Sequence, residues 1–204
     1  MKFLAAVLLL APVPEGLHFE KWFTSRGVEV EIARQTGSAP WIRGRAELSV
    51  PVAAVAKVLT DYADYKQIFA PGVKSARVLD VAADGGARLH IVWPYPFPLR
   101  NRDAVIRYRG RTDEEGRFLL SWEAEGRDGD PHEGVRIARV AGETLVEPAG
   151  ENRCRVTYTY LGELGGNFPA SAEEKAWREE PVQYIRALRR RLQLPDAAQE
   201  NTPH

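Results

Sequence analysis

"ASAEEKAWREEPVQYIRALRRRLQ", residues 170–193, is the stretch that decides the fold. Ala176, Trp177, Val182, Ile185, Leu188 and Leu192 recur at helical spacing and form one broad apolar stripe. Arg186, Arg189, Arg190 and Arg191 gather opposite that stripe or toward the C-terminal end, where cations complement the helix dipole. The spacing predicts one long amphipathic helix, kinked or shifted in register at Pro181, which lacks an N–H to donate. An apolar stripe of this length needs a large partner surface, and the rest of the chain must provide it.

Immediately upstream, residues 74–82, 86–93, 102–112, 117–125, 135–148 and 153–163 read as six strands separated by Gly, Pro, Asp and Asn turns. Their short connections imply antiparallel pairing. Before them, "PVAAVAKVLTDY" (51–62) sets Val52, Val55, Val58 and Leu59 at helical spacing behind Pro51, and Tyr65, Ile68 and Phe69 continue the pattern until Pro71-Gly72. Earlier still, "GVEVEIARQ" alternates Val28, Val30 and Ile32 against Glu29, Glu31 and Ala33, and "TGSAP" turns it into a second strand, "WIRGRAELSV". "LHFEKWFTSR" (17–26) reads as a short helix. The class is therefore α+β, a long antiparallel sheet wrapped around a long C-terminal helix.

Length and charge bound the function. A chain of 204 residues suits one domain. With 28 basic and 28 acidic residues it carries no basic footprint for nucleic acid. Cys154 is the single cysteine, so neither an intrachain disulfide nor a Cys-rich metal site can form. Residues 1–16 begin with Lys2 and an apolar run from Phe3 to Ala11, the size of a signal-peptide core, although Leu9 spoils the cleavage motif after Ala11. The two readings are a leader, making the mature protein periplasmic or secreted, or an N-terminal amphipathic helix on a cytoplasmic protein. Residues 194–204 read as a polar, disordered tail.

Strand parity sorts the side chains. One face collects Ala87, Leu89, Ile91 and Trp93; then Phe118, Leu120, Trp122 and Ala124; then Cys154, Val156, Tyr158 and Tyr160. In "RDAVIRYRGR" the same face holds Arg102, Ala104, Ile106 and Tyr108, while Asp103 falls on the Arg-rich outer face, where it can be solvated or paired at low cost. A guanidinium aimed inward at Arg102 needs a carboxylate, carbonyls, water or a ligand. The inward aromatics suit either a packed core or a cavity for an apolar ligand.

Taken in order, "VPVAAVAKVLTDYADYKQIFAPGVKSARVL", "PYPFPLRNRDAVIRYR" and "YTYLGELGGNFPASAEEKAWREEPVQYIRALRRRL" resemble the START domain, the lipid-transfer module of the helix-grip superfamily. The resemblance runs from about Trp22 to Leu192, within a domain spanning residues 17–193, and includes the Gly165, Gly166, Pro169 turn before the closing helix. It implies a hydrophobic tunnel between sheet and helix that holds one sterol, phospholipid or other apolar molecule. The residues expected to line it are Leu89, Ile91, Trp93, Tyr95, Phe97, Arg102, Ile106, Tyr108, Leu120, Trp122, Tyr158, Tyr160, Trp177, Tyr184 and Leu188. "PYPFPL" matches the loop beside the tunnel mouth, so Tyr95, Phe97 and Leu99 are either lid residues touching ligand or membrane, or packing for the closing helix. Arg102 is either a head-group anchor or a structural ion pair at a strand start.

The expectation is a monomeric binding and transfer module with transient membrane contact, without cofactor, metal or catalytic residues. His18, His90, His132 and His204 are dispersed, no nucleotide loop or GxSxG elbow occurs, and "DGDPHEG" (128–134) reads as a solvated loop before a cation site. The alternative is an enzyme similar to polyketide aromatase/cyclases, with Arg102 and Tyr108 or Tyr158 acting on a carbonyl in the same cavity.

Overall fold

The computed structural model describes residues 13–137, 139–166 and 168–196. The apolar run read as a leader lies outside them, as does the tail beyond residue 196; no described helix is long and apolar enough to cross a membrane. Three strands come first among the described residues: β1 (Glu20–Ser25), β2 (Val28–Ala33) and β3 (Trp41–Leu48). Helix α1 (Val52–Leu59), a 3-10 turn (Tyr62–Asp64) and helix α2 (Tyr65–Ile68) follow. Then come β4 (Ser75–Val81), β5 (Ala87–Trp93), β6 (Arg102–Thr112), β7 (Phe118–Ala124), β8 (Val135–Arg136), β9 (Val140–Pro148), β10 (Cys154–Gly162) and helix α3 (Ala170–Arg191).

The strands form one curved sheet in the order β1-β2-β3-β10-β9-β7-β6-β5-β4, antiparallel throughout, with two-residue β8 adding a parallel pairing to β6. The concave face grips α3. The inward set follows the alternation of the sequence: Val28, Val30, Leu89, Ile91, Ile106, Val146 and Val156 are all buried, and each aliphatic side chain so placed contributes about 1.5–3 kcal/mol.

Helix α3 runs through Pro181 without a break. Pro181 is buried on β3 over Gly44, where a Cβ would sit 2.6 Å from the Pro181 Cβ. The helix therefore rests on β3 at a point where one partner has no side chain, which allows close approach.

The segment expected as an opening helix is strand β1. Arg26 and Gly27 both adopt positive φ (51° and 65°), the geometry of a two-residue hairpin turn, and this pairs β1 with β2 from Glu20↔Ile32 to Ser25↔Val28. Ten residues could not sustain an isolated helix against that pairing. Residues 135–148 likewise divide into β8 and β9. Residues 194–196 are not free tail: Leu194 packs on the core and Asp196 pairs with Arg186 at 3.0 Å.

Candidate functional site

Between α3 and the concave sheet lies a cavity of about 430 Å³. Its floor is the inward register of neighbouring strands: Trp93 from β5, Ile106 and Tyr108 from β6, Leu120 and Trp122 from β7, and Tyr158 and Tyr160 from β10. Its rim includes Pro94 and Tyr95 on one side and Phe69 to Val73 on another. Helix α3 closes it with Ala176, Trp177, Glu180, Gln183, Tyr184, Ala187 and Arg190, a stripe at helical spacing.

The aromatic floor depends on one glycine. Gly142 of β9 sits opposite both Trp122 and Tyr160, and a Cβ there would lie 2.4 Å from the Thr159 carbonyl oxygen and 2.5 Å from the Trp122 ring. Without that Cβ the indole lies against the strand. From it a chain of rings continues: Trp122 to Tyr158 at 5.5 Å, Tyr158 to Tyr184 at 3.8 Å, and Tyr184 to Phe69 at 5.1 Å, all stacked.

Five of the tyrosine hydroxyls around the cavity find protein partners. Tyr65 and Tyr108 share a hydrogen bond of 3.0 Å, Tyr184 and Thr144 one of 2.8 Å, and Tyr160 donates to the Trp177 carbonyl at 3.3 Å. Tyr158 donates to Oε1 of Glu180 at 3.0 Å. Burial pushes the tyrosine pKa values up, Tyr95 to about 12 and Tyr65, Tyr108, Tyr158, Tyr160 and Tyr184 further, so all are neutral at physiological pH.

Among the described residues, Glu180 is the one carboxyl that lines the cavity. It is one of the exposed side chains of α3 and also lines the cavity. Burial raises its pKa from the ordinary carboxyl value, and the bond from Tyr158 partly opposes the rise.

Of the residues expected to line a tunnel, Trp93, Tyr95, Ile106, Tyr108, Leu120, Trp122, Tyr158, Tyr160, Trp177 and Tyr184 do so. Leu89, Ile91 and Leu188 are fully buried in packed core away from the cavity. Phe97 points into solvent at 96% exposure.

Arg102 is inward and buried, yet it does not reach the cavity. Its guanidinium donates to the carbonyls of Leu164 (3.1 Å), Gly165 (3.2 Å) and Arg100 (2.6 Å), and Tyr95 and Phe168 flank it at 5.3 and 4.7 Å. Of the two roles open to it, the geometry supports the structural one, with carbonyls, one of the partners named for an inward guanidinium, in place of an ion pair.

The outward reading of Asp103 is right for its face and wrong for its surroundings. It has no exposed surface, because the segment 126–137 folds over it. Oδ2 lies 2.8 Å from His90 Nε2, 2.9 Å from Arg136 and 3.2 Å from the Glu133 amide; Oδ1 lies 3.0 Å from His132 Nδ1. Together with the main-chain bond from Ile137 to Asp103 (2.8 Å), this anchors the strip that places Ile137 in the cavity wall. The outer face thus turned "DGDPHEG" into a structural clasp.

Tyr65, Phe69, Ile137, Glu180 and Gln183 line the cavity without having been singled out. For Glu180 the signal was present: it stands three residues after Trp177 and four before Tyr184, on the same helical face.

The cavity lies between a gripping sheet and its closing helix, and the START domain profile matches residues 17–198 of the sequence. The chain belongs to the START domain family. A STAR-related lipid transfer protein from Xanthomonas axonopodis is 25% identical, with a TM-score of 0.76 over 86% of this chain and 98% of its own. The lipid transfer and protein localization domain of human StarD13 is 16% identical, with a TM-score of 0.72 over 84% of this chain and 87% of its own. The Zhui aromatase/cyclase from a Streptomyces species is 14% identical, with a TM-score of 0.55 over 75% and 93%, a likeness of fold alone. No curated protein matches the sequence.

Proposed function

We propose that this START domain binds one hydrophobic small molecule between α3 and the sheet and acts as a monomeric carrier. The observation that supports the reading best is the cavity itself. A volume of about 430 Å³ walled by Trp93, Ile106, Leu120, Trp122, Tyr158 and Trp177 falls within the range of small-ligand sites and offers an apolar ligand a surface on which to leave water. Burial of that surface provides roughly 25 cal/mol per Å² without a catalytic group. The tyrosine hydroxyls are neutral and engaged with protein partners, which fits holding a ligand better than turning one over. The STAR-related and StarD13 neighbours, described as lipid transfer proteins, point the same way.

Native mass spectrometry and lipid extraction of the purified protein test this directly. Gly162 supplies the blocked control: its Cβ would face the cavity with nothing nearer than the Tyr160 ring at 3.9 Å, so Gly162→Phe adds bulk there without a backbone clash. Bound lipid in the wild type and none in Gly162→Phe is the expected result. No bound or exchangeable apolar molecule in either protein would overturn the reading.

A further inference from the structure

Apart from the tyrosine hydroxyls, the polar side chains lining the cavity among the described residues are Glu180, Gln183 and Arg190, all on the helix that closes it. Glu180 projects from α3 between Trp177 and Tyr184, and Tyr158 across the gap donates to only one of its oxygens, Oε1. No Lys, Arg or His lies within ion-pair distance of it among the described residues. Arg190, the cation that also lines the cavity, is committed to the carbonyls of Ala70 (2.6 Å) and Ile68 (3.5 Å).

A carboxyl without a counter-ion in such surroundings costs stability, and a residue serving only the fold could be apolar here at no loss of helix propensity. What makes the position informative is its geometry: Tyr158 holds the carboxyl by Oε1, Oε2 accepts no hydrogen bond among the described residues, and the side chain lines the space a ligand would fill. We propose that Glu180, oriented by Tyr158, is the polar recognition point of the cavity, and that the molecule it selects is apolar with one terminal hydrogen-bond donor, a hydroxyl or an amine, placed against Oε2. This rests on the binding reading above and adds the chemical class of ligand to it. A terminal carboxylate is disfavoured there, since two acidic groups would meet in a site of low polarity.

The aromatic walls allow a direct titration. Quenching of Trp93, Trp122 and Trp177 fluorescence can follow decylamine, 1-decanol and decanoic acid, which share a chain and differ in head group. The amine and the alcohol should bind at least tenfold more tightly than the acid, the scale of one hydrogen bond to a charged or strongly polar group. Glu180→Leu should remove that preference while leaving binding of the alkyl chain, and Glu180→Gln should retain the alcohol and weaken the amine. Tyr158→Phe, which frees the carboxyl from its orienting bond, should reduce discrimination without abolishing uptake. If all three probes bind equally, or Glu180→Leu leaves the order unchanged, the assignment of Glu180 fails while the carrier reading stands. If no probe binds the wild type, the carrier reading fails and takes this one with it.

Discussion

Replacing Asp103 by Asn removes one charge and almost no volume, so its effect isolates the clasp on the outer face of the sheet. Asp103 has no exposed surface; its Oδ2 hydrogen-bonds with His90 and accepts from the Glu133 amide, and Arg136 and His132 stand within ion-pair distance. An asparagine amide removes the charge that faces Arg136 and leaves one acceptor oxygen for the His90 ring and the Glu133 amide, so the ion pair is lost and the remaining bonds become neutral ones. A hydrogen bond involving a charged group contributes about 1.5–3 kcal/mol. Losing one and weakening the others gives a cost of about 2–4 kcal/mol, below the roughly 3–5 kcal/mol of breaking a fully buried pair because Arg136 retains some water. In urea, with a slope near the upper end of ~1–3 kcal/mol per molar for a chain this long, the midpoint should fall by about 1 M. Asp113→Asn is the matched control: Asp113 pairs with Arg117 on the surface, and its loss should cost less than about 1 kcal/mol. Tryptophan fluorescence in a urea series, run on wild type and both variants, reads the difference. Equal midpoints for Asp103→Asn and Asp113→Asn would show that segment 126–137 does not clasp Asp103, and the account of the outer face would be wrong.

Gly142→Ala should lower the melting temperature clearly, by the equivalent of about 1–3 kcal/mol, since the new Cβ meets the Thr159 carbonyl and the Trp122 ring; a near-UV dichroism spectrum should show the displaced indole, and an unchanged melt would count against the aromatic floor as described. Arg102→Leu should destabilise by several kcal/mol through three lost carbonyl contacts, yet the fraction still folded should bind ligand with unchanged head-group preference in the fluorescence titration, because the guanidinium does not reach the cavity. Glu125 has a pKa held down to about 2, chiefly by Arg107, against an ordinary value of 4.5. A depressed carboxyl adds stability above its unfolded pKa and loses it as pH falls toward the folded one, so the gap in unfolding free energy between wild type and Glu125→Gln should close between about pH 4.5 and pH 2.

The residues that made the fold legible are those whose environment is one-sided. Val28, Val30 and Ile32, or Leu120 and Trp122, alternate with polar neighbours because one face of their strand meets the core, and period two is visible without any partner strand. Arg102 shows where parity stops helping. Its inward direction followed from register, but its partners are main-chain carbonyls of Arg100, Leu164 and Gly165, which carry no side-chain signature. Asp103 failed for a related reason: the outer face of β6 was expected to meet water, and a loop nearly thirty residues away in sequence covers it instead. Strand β1 failed locally, since the Arg26-Gly27 turn that pairs it with β2 outweighs the helical appearance of the segment before it.

Glu180 marks a different limit, set by the rule that identifies an inward face. A helix packed on a solid core displays its buried side as a run of apolar residues, and Val182, Ile185 and Leu188 do so where α3 meets the packed interior. A helix that covers a cavity turns a second face inward, and that face answers to the ligand as well as to the protein. On α3 it reads Ala176, Trp177, Glu180, Gln183, Tyr184, Ala187, Arg190, a mixed stripe that a search for apolar periodicity discards at its polar members. The two stripes lie side by side, and only one is uniformly apolar. In a helix that closes a cavity, a polar residue recurring at helical spacing among inward aromatics is therefore evidence about the ligand, whereas the same residue on a helix sealing a solid core would be a defect in packing.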